Sequence, residues 1–96
     1  MSDPSLLILA SLAEGDKHGY AIMEDVATFA GVRLGAGTLY GAITRLEERG
    51  AIKPVKATDS RRQPYRITAA GRQQLQEQLA ALDQVVKTGI KRLRTI

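Results

Sequence analysis

The most constraining feature of the sequence is an uncharged seam in its last third, whose positions follow one another at alternating steps of four and three residues. The seam consists of Leu75, Leu79, Leu82, Val86, Gly89, Leu93 and Ile96. Such spacing is typical of a helix that packs lengthwise against another helix. Thr68 is placed to cap this helix, which we expect to run to about Arg94 over a length of about 40 Å.

A helix of this length is too long for the body that the rest of the chain can form. The protein has 96 residues, of which 44% are hydrophobic, so we expect one domain with one small core. Such a body covers only the first half of the seam, and we expect a second copy of the chain to cover the rest. The alternative is a helix that folds back on its own domain, which leaves two apolar surfaces competing for too little core.

The residue types that are missing exclude several classes of protein. The chain has no cysteine, no tryptophan and one histidine, which excludes disulfides, thiol catalysis and metal sites rich in Cys or His. No apolar run approaches the roughly 18 residues that a membrane-spanning helix needs, and Met1-Ser2-Asp3 lacks the basic start of a secretory signal. We expect a cytoplasmic protein that enters no membrane and holds no cofactor.

Charge is segregated along the chain. Residues 1–31 carry one cation and five anions, residues 32–66 carry eight cations and three anions, and residues 67–96 carry five cations and two anions. A basic middle segment points to a polyanionic partner. A net charge of +4 also fits the alternative that the charge serves solubility alone.

The first half of the chain has the pattern of three short helices. Asp3-Pro4 starts the first, which runs to about Ala13 and is apolar on nearly every side, so its outer side also needs a cover. The second spans about Tyr20–Ala30, and the third spans about Ala36–Arg49 and is stopped by Gly50. The buried faces that this spacing predicts are Ile22, Val26 and Phe29 on the second helix, and Leu39, Ala42, Ile43 and Leu46 on the third. The second and third helices, joined by a short turn that contains glycine, predict a helix-turn-helix.

Residues 51–67 predict a small β-hairpin. Pro54 limits its first strand, residues 51–57, to a sheet edge, and Pro64-Tyr65-Arg66-Ile67 forms the returning strand after a polar turn. The predicted fold is mainly α with this small β-hairpin, a winged helix-turn-helix in the order helix, helix, helix, strand, wing, strand, helix. Residues 1–68 would form a winged-helix DNA-binding domain and residues 69–96 a C-terminal dimerisation helix. The expected dimer contacts are Leu6, Leu9, Leu79, Leu82, Val86 and Leu93.

No motif combines a nucleophile, a base and an orienting group. His18 has only Asp16 beside it, and the adjacent carboxylates Glu24-Asp25 and Glu47-Glu48 point about 100° apart on their helices. We therefore expect neither an enzyme nor a metal site. The simpler place for His18 is the start of the second helix.

The outer face of the third helix carries groups that bind DNA. Threonine and tyrosine hydroxyls can contact phosphate, arginine can bind guanine O6 and N7, and glycine lets the backbone come close. The candidate DNA contacts are Gly37, Thr38, Tyr40, Gly41, Thr44 and Arg45 on this helix, and Arg61 and Arg62 on the wing. An ordinary exposed helix face is the alternative. The Arg61-Arg62 pair favours DNA, because it lies where a second contact to phosphate or to the minor groove is expected.

Four short motifs stand out along the chain: His18-Gly19-Tyr20, Gly37-Thr38-Leu39-Tyr40, Arg45-Leu46-Glu47 with Gly50, and Tyr65-Arg66-Ile67-Thr68 with Gly71. Together they resemble the PadR family of winged-helix transcriptional regulators. Gly35, Ala36 and Gly41 depart from the family, whose members often begin this helix with Ser-Pro and place proline after the tyrosine. Glycine is still an acceptable N-cap, so the fold is compatible with the departure.

The resemblance implies a homodimeric repressor that binds double-stranded DNA at a pseudo-palindromic operator. The third helix would enter the major groove, the wing would touch the flanking backbone and the C-terminal helix would serve dimerisation. Family members are often released from DNA by a small-molecule effector, but four aromatic residues do not outline an aromatic-lined pocket here. The alternative function is a winged-helix module that binds another protein and no DNA.

Overall fold

The computed structural model describes residues 3–59 and 61–95 and contains four helices and three strands. The elements are α1 (Pro4–Leu12), β1 (Lys17–His18), α2 (Gly19–Ala30), α3 (Ala36–Glu48), β2 (Ile52–Pro54), β3 (Pro64–Ile67) and α4 (Ala69–Arg94). All four predicted helices and both predicted strands are present. Within the described residues, no helix is long and apolar enough to cross a membrane.

The helices begin at the capping residues that the sequence provides. Asp3 Oδ1 accepts a hydrogen bond from the Ser5 N–H at 3.0 Å, and Thr68 Oγ1 accepts one from the Gly71 N–H at 3.1 Å. Each bond satisfies a backbone donor that a helix start would otherwise leave free. At the other end, Gly31 takes a left-handed conformation with φ of 67° and ends α2. The predicted helix limits therefore agree with the structure to within about a turn.

The sheet has one more strand than the predicted hairpin. The strands lie antiparallel in the order β1-β3-β2, so that β3 pairs with β1 on one side and with β2 on the other. Pro54 lies on the edge strand β2, as expected for a residue that cannot donate to a central ladder. The two residues of β1 were not predicted, because their pairing with Tyr65 and Pro64 joins segments far apart in sequence.

The core shows what covers α1. Ile8, Leu9 and Leu12 are all fully buried within the single chain, because α1 packs against α2, α3 and α4. Most of the cover that was expected from a second subunit is therefore supplied by the chain itself. In particular, Leu9 belongs to this core and offers no surface to a partner, whereas Leu6 is only partly buried.

The buried faces of the helix-turn-helix are largely as predicted. Ile22 and Val26 are fully buried on α2. The stripe on α3, consisting of Leu39, Ala42, Ile43 and Leu46, is buried as well. Phe29 is the exception, because it lies in the last turn of α2 beyond the core and about half of it is exposed.

The long helix α4 leaves the body after its first two turns. Gly71 fits against the backbone of Ala51, and a Cβ at position 71 would overlap the Ala51 carbonyl and the Ile67 side chain. Leu75 is buried, whereas Leu79 is already 47% exposed. The extents of the molecule, 57 × 26 × 21 Å, show how far α4 projects. The last seam position, Ile96, lies outside the described residues.

Candidate nucleic-acid interface

The helix α3 has one buried and one solvent-facing side, and the predicted DNA contacts lie on the latter. Opposite the buried stripe, Gly41 is half-buried, and the other five candidates are exposed. Those five are Gly37, Thr38, Tyr40, Thr44 and Arg45. The structure thus brings all six predicted residues of α3 to one surface.

The start of α3 presents backbone donors on that surface. Gly35 is the N-cap, and it has no side chain that could bond the first N–H groups. Its carbonyl accepts the Leu39 N–H at 2.9 Å, so the helix itself is regular from its first turn. A helix start without a side-chain cap leaves N–H groups that can bind an anion, and glycine at 37 keeps the approach open.

Tyr40 joins α3 to α2. Its ring packs against the Gly19 backbone, and a Cβ at position 19 would overlap the Tyr40 hydroxyl. About half of the ring is still exposed. The residue therefore has two roles open to it, because it fixes the two helices of the motif against each other and is still half exposed on the outer face of α3. The His18-Gly19-Tyr20 motif places glycine where only glycine leaves room for this ring.

The Thr44 hydroxyl is engaged within the helix. Its Oγ1 donates to the Tyr40 carbonyl at 2.9 Å. In this rotamer the proton is not available to a phosphate oxygen, while the oxygen can still accept a hydrogen bond and the side chain is exposed. Thr44 is therefore better suited to contact a thymine methyl or a base amino group than to bind phosphate.

Arg45 is the unengaged cation of the α3 surface. Its side chain lies along the helix over Gly41, and its Nη1 atom would be 3.5 Å from a Cβ at position 41. Among the described residues, no carboxylate pairs with it. All five guanidinium donors can therefore turn to an external acceptor.

The two wing arginines have different surroundings. The Arg61 side chain is 89% exposed, with its Nε 3.6 Å from Asp59 Oδ1. Asp59 also shapes the turn, because its Oδ1 accepts the Arg61 N–H at 2.9 Å and its carbonyl accepts the Arg62 N–H at 3.2 Å. Arg62 instead points back toward the sheet, where its Nη1 lies 3.1 Å from Nε2 of His18. The sequence alone predicts no difference between the two arginines, because His18 lies 44 residues from Arg62 in the chain.

The Arg62 contact is limited by the chemistry of His18. Nδ1 of the same imidazole accepts the Ala21 N–H at 3.3 Å and so caps α2. A neutral imidazole has only one acceptor nitrogen, so it cannot accept from Ala21 and from Arg62 at the same time. The guanidinium is therefore held loosely and can be withdrawn from His18 by a stronger acceptor such as phosphate.

The anions of the first 31 residues are largely used within the chain. Glu14 and Asp25 flank the Lys17 ammonium, with Nζ to carboxylate distances of 2.9 and 3.7 Å. Asp16 receives two bonds from Arg66, at 3.0 Å from Nε and 2.8 Å from Nη2. The hydrogen bond to Arg66 lowers the pKa of Asp16 and raises that of the guanidinium, so both groups keep their charge. Arg66 therefore links β3 to the segment before β1, and its guanidinium is not free to bind DNA.

A second uncovered surface lies on α4. Val86 is 54% exposed, Leu93 is 73% exposed and Leu82 is half-buried. These seam residues are the ones predicted to form a dimer contact. With Leu79 they form an apolar face on the projecting part of α4.

Three helices, a β-hairpin whose second strand also pairs with β1, and an exposed polar face on α3 define the class as winged helix-turn-helix proteins. Within that class, the family model described as "Transcriptional regulator PadR-like family" matches residues 8–77. The chain belongs to this family, which confirms the resemblance found in the motifs. The family consists of transcriptional regulators and not of enzymes.

Two relatives show how far the similarity extends. An uncharacterized 37.1 kDa protein in transposon TN4556 of Streptomyces fradiae is 40% identical over 77 residues, which are 80% of this chain and 22% of the relative. Transcriptional regulator Rv3488 of Mycobacterium tuberculosis is 34% identical over 84 residues, which are 85% of this chain and 78% of that protein. The chain thus spans about a fifth of the length of the Streptomyces relative.

Solved structures agree with the fold over nearly the whole chain. A transcriptional regulator from Clostridium thermocellum has a TM-score of 0.80 at 30% identity, with 91% of this chain and 89% of that chain covered. A PadR family transcription regulator from Clostridium difficile has a TM-score of 0.83 at 26% identity, with coverage of 94% and 97%. The mainly α winged-helix fold predicted from the sequence is therefore confirmed.

Proposed function

We propose that this protein is a homodimeric repressor that binds a pseudo-palindromic DNA operator with sequence specificity. The observation that carries the proposal is Arg45, an exposed guanidinium in the middle of the polar face of α3 that no described carboxylate neutralises. It lies in the segment of residues 32–66, which has eight cations and three anions. Family membership supports DNA as the polyanion that this surface meets.

The face of α3 has the two kinds of contact that a DNA reader needs. Arg45 can bind O6 and N7 of a guanine in the major groove, and the Thr44 methyl can lie against a thymine methyl. The N–H groups at the start of α3, beside Gly37 and Thr38, can bind a phosphate and fix the register of the helix. Base contacts therefore come from the middle of α3, and orientation comes from its first turn.

The wing supplies positive charge that does not depend on sequence. Arg61 extends into solvent, and Arg62 can leave His18 for a phosphate oxygen. A basic tip suits contact with the backbone or the minor groove beside the major-groove site. The wing thus adds affinity for any duplex, while Arg45 discriminates among duplexes.

Dimerisation would make the operator a pair of half-sites. We propose that residues 1–68 read DNA and that residues 69–96 join two copies through Leu79, Leu82, Val86 and Leu93, with Leu6 at the margin. Two readers on a symmetric dimer contact half-sites about 34 Å apart, one turn of DNA. A dimer bound in the cytoplasm to such a site over a promoter represses by excluding other proteins.

Footprinting on genomic fragments, followed by fluorescence anisotropy with the protected duplex, tests this function directly. We expect a protected site with inverted half-sites, bound much more tightly than a scrambled duplex of the same length and charge. Light scattering at micromolar concentration should report a dimer. A stable monomer without affinity for any duplex at low salt would refute the proposal and support the protein-interaction module instead.

A further inference from the structure

A cleft of about 340 Å³ lies between the wing and the segment that contains β1, and we call it the wing cleft. Its lining includes Asp16 and His18 from the segment of β1, and Lys56, Asp59 and Arg62 from the wing. A cleft of this size has room for a small molecule. The groups that line it determine the chemistry of such a molecule.

Two hydrogen-bond donors point at each other in the wing cleft. Nδ1 of His18 accepts the Ala21 N–H at 3.3 Å, so in the neutral imidazole the proton is on Nε2. Nε2 lies 3.1 Å from Nη1 of Arg62, and a guanidinium nitrogen can only donate. Two donors do not bond to each other. An acceptor that contacts both N–H groups satisfies both.

The carboxylates of the wing cleft are already engaged by other cations. Asp16 binds the guanidinium of Arg66, with Oδ2 at 2.8 Å from Nη2. Asp59 lies beside Arg61, with Oδ1 at 3.6 Å from Nε. Neither carboxylate therefore supplies the acceptor that His18 and Arg62 share.

The cations of the wing cleft are less fully engaged. Lys17 also lines the cleft, but its ammonium lies 2.9 Å from Glu14 and is used within the chain. Lys56 and Arg62 form no ion pair with any carboxylate of the described residues. The cleft therefore combines two convergent N–H donors with an excess of positive charge, which favours an anionic ligand.

We propose that the wing cleft binds a small oxyanion of the phosphate or carboxylate type. Its oxygens accept from Nε2 of His18 and from the guanidinium of Arg62 at the same time, and the Lys56 ammonium adds to the attraction. An oxyanion suits the donors because its several oxygen atoms can accept from more than one group. A neutral ligand leaves the charge of Lys56 and Arg62 without a partner.

A free oxyanion fits the wing cleft better than a phosphate of the DNA backbone. Arg62 points back toward the sheet, whereas the neighbouring Arg61 side chain is 89% exposed. A single small anion can enter the cleft, while a backbone phosphate is joined to its neighbours and is reached more easily by an outward cation such as Arg61. The free anion and the DNA backbone therefore compete for Arg62.

This competition makes the oxyanion a ligand that weakens DNA binding. The anion holds Arg62 at the sheet and neutralises it, so that the guanidinium is lost to the duplex. Binding of the anion is independent of DNA, whereas its effect on DNA affinity rests on the proposed function. The two parts are therefore measured separately.

The single histidine of the chain reports binding directly. Proton NMR follows the imidazole C–H signals of the full chain at constant pH during a titration with sodium phosphate, with sodium chloride at equal ionic strength as the reference. We expect a saturable shift with phosphate and none with chloride. Arg62→Gln should lose the shift, and the matched control Arg61→Gln, which removes the adjacent cation, should keep it. Equal shifts in the two salts, or equal behaviour of the two variants, would overturn the site.

His18→Asn tests the second donor without removing the helix cap. Asparagine is a good N-cap for α2 but cannot reproduce the Nε2 donor, and circular dichroism checks that the fold is kept. Broadening of the phosphorus-31 signal of inorganic phosphate measures binding to this variant. We expect much less broadening than with the unmodified chain. Equal broadening would show that His18 does not bind the anion and would overturn the bridged site.

Anisotropy titrations with a duplex measure the effect on DNA. At equal ionic strength, phosphate should weaken duplex binding severalfold more than chloride, and by no more than Arg62→Gln does, because one contact is at stake. The two salts should act equally on Arg62→Gln and on His18→Asn. If His18→Asn weakens duplex binding in the absence of phosphate, a DNA phosphate occupies the two donors and the free oxyanion is overturned.

Failure of the oxyanion site and failure of the DNA-binding function give different results. A chain that shows no phosphate-specific NMR shift but binds duplex DNA overturns the oxyanion site alone. A chain that shows the shift but has no affinity for any duplex at low salt overturns the proposed function and leaves the oxyanion site in place.

Discussion

Gly19 and Tyr40 form a close contact between the two helices of the helix-turn-helix motif. The Tyr40 ring of α3 occupies the space above the Gly19 backbone of α2, and a Cβ at Gly19 would overlap the hydroxyl. The position of the α3 surface therefore depends on the absence of a side chain in α2. Because Tyr40 is also a candidate DNA contact, this one residue would serve both helix packing and DNA binding.

The first prediction is that Gly19→Ala destabilises the protein by displacing Tyr40. The expected loss of unfolding free energy is about 1 kcal/mol, at the low end for overpacking, because the half-exposed ring can move outward. Urea unfolding measures the change. In a Tyr40→Ala background the same substitution should cost almost nothing, since the two effects are coupled through one contact. The control is Gly37→Ala, where a Cβ meets open space and we expect no loss.

The second prediction concerns the ion pair of Asp16 with Arg66. Because the hydrogen bond to Arg66 lowers the pKa of Asp16 in the folded chain, the carboxylate stabilises the fold at pH values above its unfolded pKa of about 3.9. That stability is lost as the pH falls through the lower folded pKa. Asp16→Asn should therefore unfold more easily at neutral pH and should show a flatter dependence on pH below about 5.

Urea titrations at several pH values measure this difference. Glu24→Gln is the matched control, because it removes an exposed carboxyl that makes no ion pair within the described residues. Its acid dependence should follow that of the unmodified chain. Equal slopes for Asp16→Asn and the unmodified protein would show that the pair contributes nothing to acid stability.

How much of this structure could be predicted depends on the range of the interactions involved. Caps act within three or four residues, so Asp3, Thr68 and Gly31 allowed the helix limits to be predicted from local sequence. The strand β1 could not be predicted in this way, because it has two residues and exists only through β3. The winged-helix topology followed from the order of the elements.

The surface residues were predicted less completely than the helix limits, because exposure depends on tertiary contacts. An all-apolar α1 shows that a cover is needed, but not whether the same chain or a second copy provides it, and Leu9 proved to be core. The Arg61-Arg62 pair looks uniform in sequence, yet the fold places His18 beside only one of the two. In contrast, the polar side of α3 could be predicted fully, because it is the complement of a buried helical stripe.

The third prediction separates base reading from charge at Arg45. Arg45→Ala should reduce the preference for the operator over a single-base variant by about 1 to 3 kcal/mol, because the two bonds to guanine are lost. Arg45→Lys keeps the charge but not the planar pair of donors, so it should restore general affinity and leave discrimination low. Anisotropy titrations with matched duplexes measure both. An equal loss on operator and scrambled duplexes would show that Arg45 contacts only the backbone.

The fourth prediction concerns the wing and follows from the different surroundings of its two arginines. Arg61→Ala should weaken binding to every duplex and reduce the slope of log affinity against log salt by about one, as expected for one lost phosphate contact. Arg62→Ala should do the same only if phosphate displaces His18, and His18→Ala should then strengthen general binding by freeing the guanidinium. Arg72→Ala removes the same charge from α4, outside the wing, and should leave the salt slope unchanged. If Arg61→Ala and Arg72→Ala give the same slope, the wing does not touch the DNA backbone.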